Sequence, residues 1–339
     1  MSIEKKIIND DVTIPEIVRH LHNSESFQLI INSDAFLRLL DISFLGAIDY
    51  SESQYILNKS SRTRYEHSLY VAALSFYISV KRNYSSQLTS NIVAAALLHD
   101  IGHLPLSHSA EPSIKKKFGI GHHEIGNQII NGQIKGLKSL NKLLKSRFDV
   151  EHINFLLNTK EKDINNGSDL FSSQINIDTI DGIIRCLEYK NLNSIVSLNR
   201  LNIAKASFLN EESLSIGVLD NFWKTKDFVY KNMINNNFGL IPDKISEYFF
   251  MEYKINEDLL YSSENKWKNK FKILFERLRD REIKGLLKEQ YFNITSRKYY
   301  INNKEFNISN RYLNEKAKEI RKPVSEEYIE RKQLNLFGE

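Results

Sequence analysis

The sequence predicts an all-α protein, and three observations support this class. The 339 residues include only 5 prolines and 13 glycines, too few for a turn-rich sandwich of strands. Apolar residues recur at helical spacing, as in Phe36, Leu39, Leu40 and Phe44, which is typical of an amphipathic helix. Hydrophobic residues make up 41% and charged residues 26% of the chain, an ordinary globular balance that can bury a large core.

The predicted helices follow one another along most of the chain. Two are expected over residues 14–48, and a long amphipathic helix begins near Arg62. The segment NIVAAALLHDIGH is apolar on almost every side, so it predicts a buried central helix that ends at His99 and Asp100. The loop LPLSHSAEP follows, with two prolines that limit further helix. Later helices are expected over HHEIGNQII, LKSLNKLLKSRF, VEHINFLLN, INIDTIDGIIRCLEY and residues 217–253, and a short hairpin over RKYYINNKEFNI.

The net charge of +5 is concentrated in the C-terminal part of the chain. From Lys266 to Glu339, 19 Lys and Arg residues stand against 11 Asp and Glu residues, a surplus of 8 that leaves the remainder 3 negative. We therefore predict a main domain over residues 1–263 and a small, charged, mainly helical extension over residues 264–339. Such a basic region suits nucleic acid, and a solvated helix face is the alternative.

Cysteine usage and hydropathy indicate the cellular compartment. Cys186 is the single cysteine of the sequence, so no internal disulfide can form and nothing requires an oxidising environment. The N-terminal residues MSIEKKIINDDV lack the apolar core of a signal peptide. No run approaches the roughly 20 apolar residues of a membrane span. We expect a cytoplasmic protein that does not associate with membranes.

A set of histidines and aspartates predicts a metal site. His67 lies 32 residues before His99, and Asp178 lies 78 residues after Asp100. Six of the nine histidines fall between His67 and His123, and burying so many titratable rings would be costly without partners. Imidazole and carboxylate groups suit one divalent ion, such as Mn, Mg, Fe, Co, Ni or Zn. We predict that His67, His99, Asp100 and Asp178 are its ligands; a hydrogen-bonded His–Asp pair in the core is the alternative.

The surrounding motifs resemble a known family. RYEH, HDIGHLPLSHSAE, HHEIG and DTID occur in this order and are similar to motifs of the HD-domain phosphohydrolases, specifically the deoxynucleoside triphosphate triphosphohydrolase branch. INSDAFLRLLDISFLG resembles a helix of that branch, so the resemblance extends over about residues 15–250. It implies an HD-domain helical bundle, a bound metal, a nucleotide substrate and a homo-oligomer. The implied reaction converts a dNTP into a deoxynucleoside and triphosphate.

The resemblance also implies catalytic residues. His103 and His108 match histidines near the α-phosphate, where one of them can protonate the leaving oxygen. Glu111 and His123 match an acid–histidine pair associated with catalysis, in which a carboxylate fixes the imidazole tautomer and raises its basicity. His122 is the competing candidate for the histidine of this pair.

Two cations are candidates for binding substrate phosphates. Arg64 matches an arginine that contacts the phosphates in the family, and its permanent charge and forked donors suit that task. A surface ion pair is the alternative for this residue. Lys226 is a weaker candidate from a later helix, with a solvated surface lysine as its alternative.

Four residues depart from the pattern of the triphosphohydrolase branch. Phe44 stands where that branch has a glutamine, and Thr179 stands where it has a lysine or arginine. Gly182 and Cys186 occur in the region where it has groups that bind the sugar. Losing hydrogen-bonding groups in a binding site relaxes or redirects specificity, so we expect an active enzyme with altered substrate choice. The alternatives are a phosphomonoesterase or phosphodiesterase, and a nucleotide-sensing or DNA-associated protein with a structural metal.

The last residues suggest a second partner. Gln333-Leu334-Asn335-Leu336-Phe337 resembles the short peptide by which bacterial proteins bind the DNA polymerase sliding clamp. Such a peptide inserts its apolar side chains into a pocket while its glutamine forms hydrogen bonds. A terminal segment packed on its own domain is the alternative.

Overall fold

A computed structural model of the chain describes residues 1–51, 62–189, 198–209, 215–253, 255–280, 297–301 and 318–320. These residues are mainly helical, which confirms the all-α class. The α-helices in chain order are α1 (Ile3–Ile8), α2 (Ile14–Asn23), α3 (Glu25–Ile31), α4 (Asp34–Leu37), α5 (Ile48–Ser51), α6 (Arg64–Lys81), α7 (Ser86–Leu98), α8 (Ser107–Phe118), α9 (His122–Ile130), α10 (Lys138–Arg147), α11 (Val150–Asn158), α12 (Asp169–Ser172), α13 (Ile177–Tyr189), α14 (Arg200–Phe208), α15 (Ser215–Val229), α16 (Asn237–Glu252), α17 (Glu257–Leu260), α18 (Glu264–Lys270) and α19 (Lys272–Asp280).

Other elements are short. A 3-10 helix spans Arg38–Asp41 and a π-helix spans Tyr230–Ile234. Strand β1 (Tyr299–Ile301) pairs antiparallel with strand β2 (Lys318–Ile320). The sequence therefore located β1 within the predicted hairpin, but its partner strand lies further along the chain than the predicted RKYYINNKEFNI segment.

The chain forms two compact units that interleave in sequence. The first comprises Met1–Leu40, Ser60–His103 and His122–Phe222; the second comprises Asp41–Lys59, Leu104–Gly121 and Trp223–Glu339. These units differ from the predicted segments 1–263 and 264–339, whose boundary stays a prediction.

The first unit is built around α6 and α7. Every residue of Asn91–Leu98, the C-terminal part of α7, is buried, as expected for a central helix. Helix α6 packs against α7 and also against α2 and α13. Thr63 caps the N-terminus of α6, its hydroxyl accepting from the Glu66 backbone N–H at 3.4 Å, which satisfies one of the unpaired donors of the first turn. This capping fixes where the helix begins and therefore where its first-turn side chains point.

In the second unit, α8 packs against α16, and α16 packs against α5 and α19. Helix α8 starts at Ser107 and contains Pro112, so the expectation that the prolines keep this segment out of a helix is wrong. Pro112 is the sixth residue of α8, so its missing backbone N–H removes the helical hydrogen bond that this position would otherwise make to the His108 carbonyl. An aromatic cluster of Phe250, Trp267 and Phe271 lies in the same unit.

The predicted docking peptide and the absence of a membrane span concern different parts of the chain. The peptide Gln333–Phe337 lies outside the described residues, as does most of the basic extension. Among the described helices, none combines the length and the apolar character that crossing a bilayer requires.

Candidate metal centre

Three helix ends bring the predicted ligands together within the first unit. His67 lies in the first turns of α6, and Asp178 is the second residue of α13. His99 is the C-cap residue of α7, and Asp100 follows it directly. Because α6 packs against both α7 and α13, these residues from three distant parts of the sequence meet at one place.

The donor atoms of the four residues converge. His67 Nε2 lies 3.2 Å from His99 Nε2 and 3.0 Å from Asp178 Oδ1. His99 Nε2 lies 3.8 Å from the same Asp178 oxygen. The Asp100 carboxylate oxygens lie 3.6 Å from each histidine Nε2. Two ligand atoms that each lie about 2.0–2.2 Å from one divalent ion are roughly 3–4 Å apart from each other. The distances between these donor atoms therefore fit a single ion.

The hydrogen bonds of the two imidazole rings leave both Nε2 atoms facing the centre. His99 Nδ1 lies 2.8 Å from the Ala96 carbonyl oxygen, and a carbonyl only accepts, so Nδ1 carries the proton. His67 Nδ1 lies 2.6 Å from Asp181 Oδ2. In the neutral His99 ring Nε2 is therefore a lone-pair acceptor. When His67 is protonated on Nδ1, toward Asp181, its Nε2 is an acceptor too, and both atoms face the carboxylate of Asp178.

Such a convergence of acceptors attracts positive charge. Although burial opposes charge on the ring, hydrogen bonds with Asp178 and Asp181 raise the pKa of His67 above its ordinary value. Either a proton on His67 or a bound cation would reduce the repulsion between these lone pairs. The donor set, two imidazole nitrogens and two carboxylates, is one that divalent metal ions favour, and His67, His99 and Asp178 together could hold one.

The centre is buried on one side and accessible on the other. His67 is fully buried, and the side chains of His99 and Asp100 are 11% and 6% exposed. The side chain of Asp178 is 55% exposed. A small charged molecule can therefore reach the donor atoms from the side of Asp178, while the protein encloses the other ligands.

Arg64 lies against this centre and not on the surface. Its Nη1 atom is 2.6 Å from Asp100 Oδ2, and the side chains are 5% and 6% exposed. Burial would raise the pKa of Asp100, but the Arg64 guanidinium and His99 hold that pKa well below its usual range. The surface ion pair considered for Arg64 is therefore wrong, and the predicted phosphate contact stays a prediction.

The same region matches a known domain. Residues 64–163 match the family model of the HD domain. The chain contains an HD domain. Proteins with this domain bind divalent metals, in agreement with the His/Asp cluster found here, and the four-ligand set stays a prediction.

Two curated relatives are similar over part of the chain, and both are named as uncharacterized proteins. One, from Methanocaldococcus jannaschii, is 30% identical over 160 residues, which is 45% of this chain and 33% of the relative. The other, from Mycoplasma genitalium, is 28% identical over 181 residues, which is 48% of this chain and 39% of the relative. The match thus spans well under half the length of either relative.

Three histidines follow the metal ligands within the first unit. His103 Nε2 lies 3.2 Å from Asp100 Oδ1, and its ring stacks on that of His122 at 4.2 Å between centroids. His122 in turn lies 4.0 Å from the ring of His123. Burial and the nearby Arg64 charge hold the pKa of His103 well below its usual value. The predicted role of His103 near the α-phosphate stays a prediction.

Gly102 allows the chain after Asp100 to lie close to the backbone of His122 and Gly126. A Cβ atom at Gly102 would lie 1.9 Å from the His122 carbonyl oxygen and 2.3 Å from the Gly126 backbone nitrogen. Only glycine allows the turn after Asp100 to sit this close to the first turn of α9 in the HD domain. The glycine in HDIGH thus brings His122 next to His103.

The remaining predicted catalytic residues belong to the second unit. His108 Nδ1 lies 3.1 Å from Glu111 Oε2, one turn apart on α8. The predicted pairing of Glu111 with His123 joins residues of different units and stays a prediction. Lys226 is only 7% exposed, and its ammonium lies 5.2 Å from the centroid of the Trp223 ring. The alternative of a solvated surface lysine is therefore wrong for Lys226, whose substrate contact stays a prediction.

The residues that depart from the triphosphohydrolase pattern differ in burial. Phe44 and Cys186 are buried apolar side chains. Thr179 directly follows Asp178 in the first turn of α13, where its backbone N–H donates to Asn176 Oδ1 at 2.7 Å. Neither a positive charge nor an aromatic hydroxyl occupies these positions.

One residue at the centre was not among the predicted site residues. Asp181 is fully buried, accepts from His67 Nδ1 at 2.6 Å, and contacts Arg185 and Arg200. Its position three residues after Asp178 on one helix places both carboxylates on the same side of α13. That spacing, together with the arginine four residues later, is the signal in the sequence that points to it.

Proposed function

We propose that this protein is a metal-dependent phosphohydrolase acting on nucleotides, similar to the deoxynucleoside triphosphate triphosphohydrolases but with altered substrate choice. The observation that carries the proposal is the convergence of two histidine Nε2 atoms and two carboxylates, 3.0–3.8 Å apart, within a chain that contains an HD domain.

His67, His99, Asp100 and Asp178 would hold the ion. A divalent ion bound there would polarise a phosphoryl group and acidify water. The buried ligands hold their donor atoms in place, because His99 Nδ1 is fixed by the Ala96 carbonyl and Asp100 by Arg64. The exposed carboxylate of Asp178 leaves the centre open to a substrate.

The charges around the centre favour a phosphate group. Arg64 already neutralises Asp100 in this structure, so an ion that took over Asp100 would leave the guanidinium available for a phosphate oxygen. Guanidinium groups bind phosphates with paired N–H donors. The imidazole of His103, whose Nε2 atom lies 3.2 Å from Asp100 Oδ1, could exchange a hydrogen bond with a water or hydroxyl group at the site.

Altered substrate choice is part of the proposal. Phe44, Thr179 and Gly182 cannot supply the amide, the cation and the hydroxyl that the triphosphohydrolase pattern places in this region. A site that lacks those groups loses discrimination for the sugar and base. We therefore expect activity on several nucleotides instead of strict selection of one deoxynucleoside triphosphate.

The direct test is a substrate panel. The protein is incubated with Mn²⁺ and with dNTPs, NTPs, cyclic nucleotides and oligonucleotides, and the products are separated by chromatography. Release of triphosphate with a nucleoside is expected from the wild type and is lost in Asp178→Asn. The matched control is Glu151→Gln, which neutralises an exposed carboxylate on α11 of the same unit and keeps full activity.

The products separate the proposals. Release of single phosphate from a mononucleotide, or opening of a phosphodiester, would reject the triphosphohydrolase version and favour the second candidate, a phosphomonoesterase or phosphodiesterase. If the wild type turns over no substrate with any divalent metal, the enzyme proposal is wrong, and a binding protein with a structural metal takes its place.

The predicted partners are separate proposals. We propose that Gln333–Phe337 docks on the polymerase sliding clamp and that the basic C-terminal residues contact nucleic acid. Truncation after Lys332 would leave clamp binding unchanged if the first idea is wrong, and a binding curve that does not weaken with salt would contradict the second. The homo-oligomer that the resemblance implies is tested by sedimentation, and the cytoplasmic location expected from cysteine usage and hydropathy is tested by cell fractionation.

A further inference from the structure

Asp181 lies directly behind the metal centre. Its carboxylate is fully buried, and Oδ2 lies 2.6 Å from His67 Nδ1. His67 presents its other ring nitrogen, Nε2, to Asp178 and His99. Asp181 therefore contacts the ring of His67 on the side opposite to the centre.

Two arginines hold the Asp181 carboxylate. Arg185 Nε lies 2.8 Å from Oδ2, and Arg200 Nε lies 2.6 Å from Oδ1. Their side chains are 2% and 8% exposed, so this is a buried array. An arginine can only donate hydrogen bonds, so both carboxylate oxygens are acceptors and the only proton between Asp181 and His67 belongs to Nδ1.

This arrangement determines which tautomer His67 adopts. With the proton on Nδ1, the lone pair is on Nε2, which is the atom that faces the centre. In the opposite tautomer Nε2 would carry the proton toward Asp178 Oδ1 at 3.0 Å, and no metal could then bind that nitrogen. Nδ1 and the Asp181 oxygen, both acceptors, would face each other at the shorter distance of 2.6 Å. Partners of this kind on metal-binding histidines typically change metal affinity by 10–100-fold.

We propose that Asp181, clamped by Arg185 and Arg200, is a positioning residue that fixes the His67 ring with its Nε2 lone pair toward the metal centre. The inference rests on the proposed function for the metal and goes beyond it, because it assigns a role to residues outside the proposed ligand set.

The group formed by Asp181, Arg185 and Arg200, called the clamp below, also connects the metal centre to α14. Arg200 is the first residue of α14, and besides Asp181 it binds Glu188 through two hydrogen bonds of 2.5 and 2.8 Å. The position of α14 is thus tied to the orientation of a metal ligand. Glu188 shares Arg200 with Asp181 but does not contact His67, so it provides a matched control.

The alternative is that the array only stabilises the fold. Buried ion pairs are poor indicators of net stability, and removing one partner destabilises a protein whatever its function. A purely structural role would lower the melting temperature of variants without changing the tautomer of His67 or the metal affinity of the molecules that remain folded. The test therefore needs readouts other than stability and activity.

The first readout needs no change to the clamp. Long-range proton–nitrogen NMR spectra of the metal-free protein, labelled with ¹⁵N-histidine, are recorded above the pH at which the rings lose their second proton. The His67 signals are those missing from the spectrum of His67→Gln. Protonation on Nδ1 is expected, and a His67 ring protonated on Nε2 in the wild type overturns the proposal even if no clamp variant can be produced.

The second readout compares Asp181→Asn with Glu188→Gln. Each substitution removes one carboxylate that binds Arg200, and circular dichroism checks that each variant is folded. By calorimetric titration with Mn²⁺, we expect Asp181→Asn to bind 10–100-fold more weakly than the wild type, with a mixed tautomer at His67. Glu188→Gln is expected to bind within about two-fold of the wild type.

The results of these titrations can be distinguished from those of the substrate panel that tests the proposed function. Wild-type Mn²⁺ affinity in folded Asp181→Asn overturns the positioning role, even if the wild-type protein hydrolyses nucleotides. A large loss of affinity in Asp181→Asn, found in a protein that hydrolyses no nucleotide, supports the positioning role while the hydrolase proposal fails. Equal losses in both variants would mean that the array acts through the fold, and the proposal would be wrong.

Discussion

His67 and His99 face each other through their Nε2 atoms at 3.2 Å, although the two residues lie 32 positions apart on different helices. Two neutral imidazole lone pairs repel at this distance unless a positive charge lies near them. Each ring is held by a bond to its Nδ1 atom, from His99 to the Ala96 carbonyl and from His67 to the Asp181 carboxylate. The protein thus holds two acceptors together at the position where a cation would stabilise them.

Replacing Arg64 should lower the free energy of unfolding by an amount that depends on whether the metal is bound. Replacing Arg64 by glutamine leaves Asp100 buried without its cation, which typically costs about 3–5 kcal/mol of unfolding free energy. An ion bound to Asp100 compensates for the lost charge, so the cost should be smaller with saturating Mn²⁺. Urea unfolding of Arg64→Gln with and without the ion measures both quantities.

The control for this change is Arg147→Gln. Arg147 makes a 2.8 Å ion pair with Glu25, but both side chains are largely exposed, at 46% and 76%. Exposed pairs contribute about 0–1 kcal/mol, and the small loss should not depend on metal. An equal cost for Arg64→Gln in the presence and absence of Mn²⁺ would contradict the placement of the ion on Asp100.

Gly102 and Gly126 give a paired test of the packing behind the centre. A Cβ at Gly102 would lie within 2.3 Å of backbone atoms of His122 and Gly126, whereas a Cβ at Gly126 meets nothing nearer than 3.6 Å. We expect Gly102→Ala to cost about 1–3 kcal/mol through overpacking. Gly126→Ala should be neutral or stabilise α9 by about 0.5–1 kcal/mol. Equal melting temperatures for the two variants would contradict this packing.

Asp10 predicts a pH dependence of stability. Burial opposes its charge, but hydrogen bonds from Lys205, Lys81 and Tyr77 lower the pKa of its carboxyl to about 2 from 3.8. A carboxyl whose pKa is lower in the folded state stabilises the fold above pH 3.8, and this contribution is lost as the pH falls through about 2. Because the side chain is 40% exposed, we discount the effect for solvent screening to roughly 1 kcal/mol at neutral pH.

The variant for this test is Asp10→Asn. The residue has a φ of 57°, and asparagine tolerates this left-handed conformation well, so the backbone should not change. Urea unfolding of the wild type and the variant at pH 7, 4 and 3 should give a difference that shrinks as the pH falls. A difference that stays constant over this range would show that the charge of Asp10 is not its cause.

The sequence predicted the helical class, the buried helix α7 and the residues that converge at the centre. Local patterns were sufficient for these, because the apolar character of Asn91–Leu98 and the order of His67, His99 and Asp178 are visible without a structure. The HD domain that the motifs suggested is present over residues 64–163.

What local patterns could not give are partners far apart in the chain. Asp181 lies 114 residues from His67, whose ring it binds. Within the second unit, the buried Glu264 carboxylate accepts from the backbone N–H groups of Ser43 and Leu106, which are 221 and 158 residues away. Neither pairing leaves a periodic signal, because only the packing of the helices determines which side chains meet.

The start of α8 shows a second limit. Leu106 and Ser107 have φ values of 62° and 44°, a conformation that non-glycine residues seldom adopt. The side chains of Leu106 and Ser107 give no sequence signal of such a turn. The turn changes the direction of the chain so that a helix containing Pro112 can begin. Backbone conformations enforced by surrounding packing are hidden from the sequence.

The most direct test of the account is calorimetric titration of the metal-free protein with Mn²⁺, comparing the wild type with Asp178→Asn and Glu151→Gln. The Asp178 side chain is 55% exposed, so its replacement should remove a ligand while leaving the fold intact. We expect one ion per chain for the wild type and for Glu151→Gln, with binding strongly weakened in Asp178→Asn. Equal binding by all three proteins, or no binding by the wild type, would contradict a metal centre at His67, His99, Asp100 and Asp178.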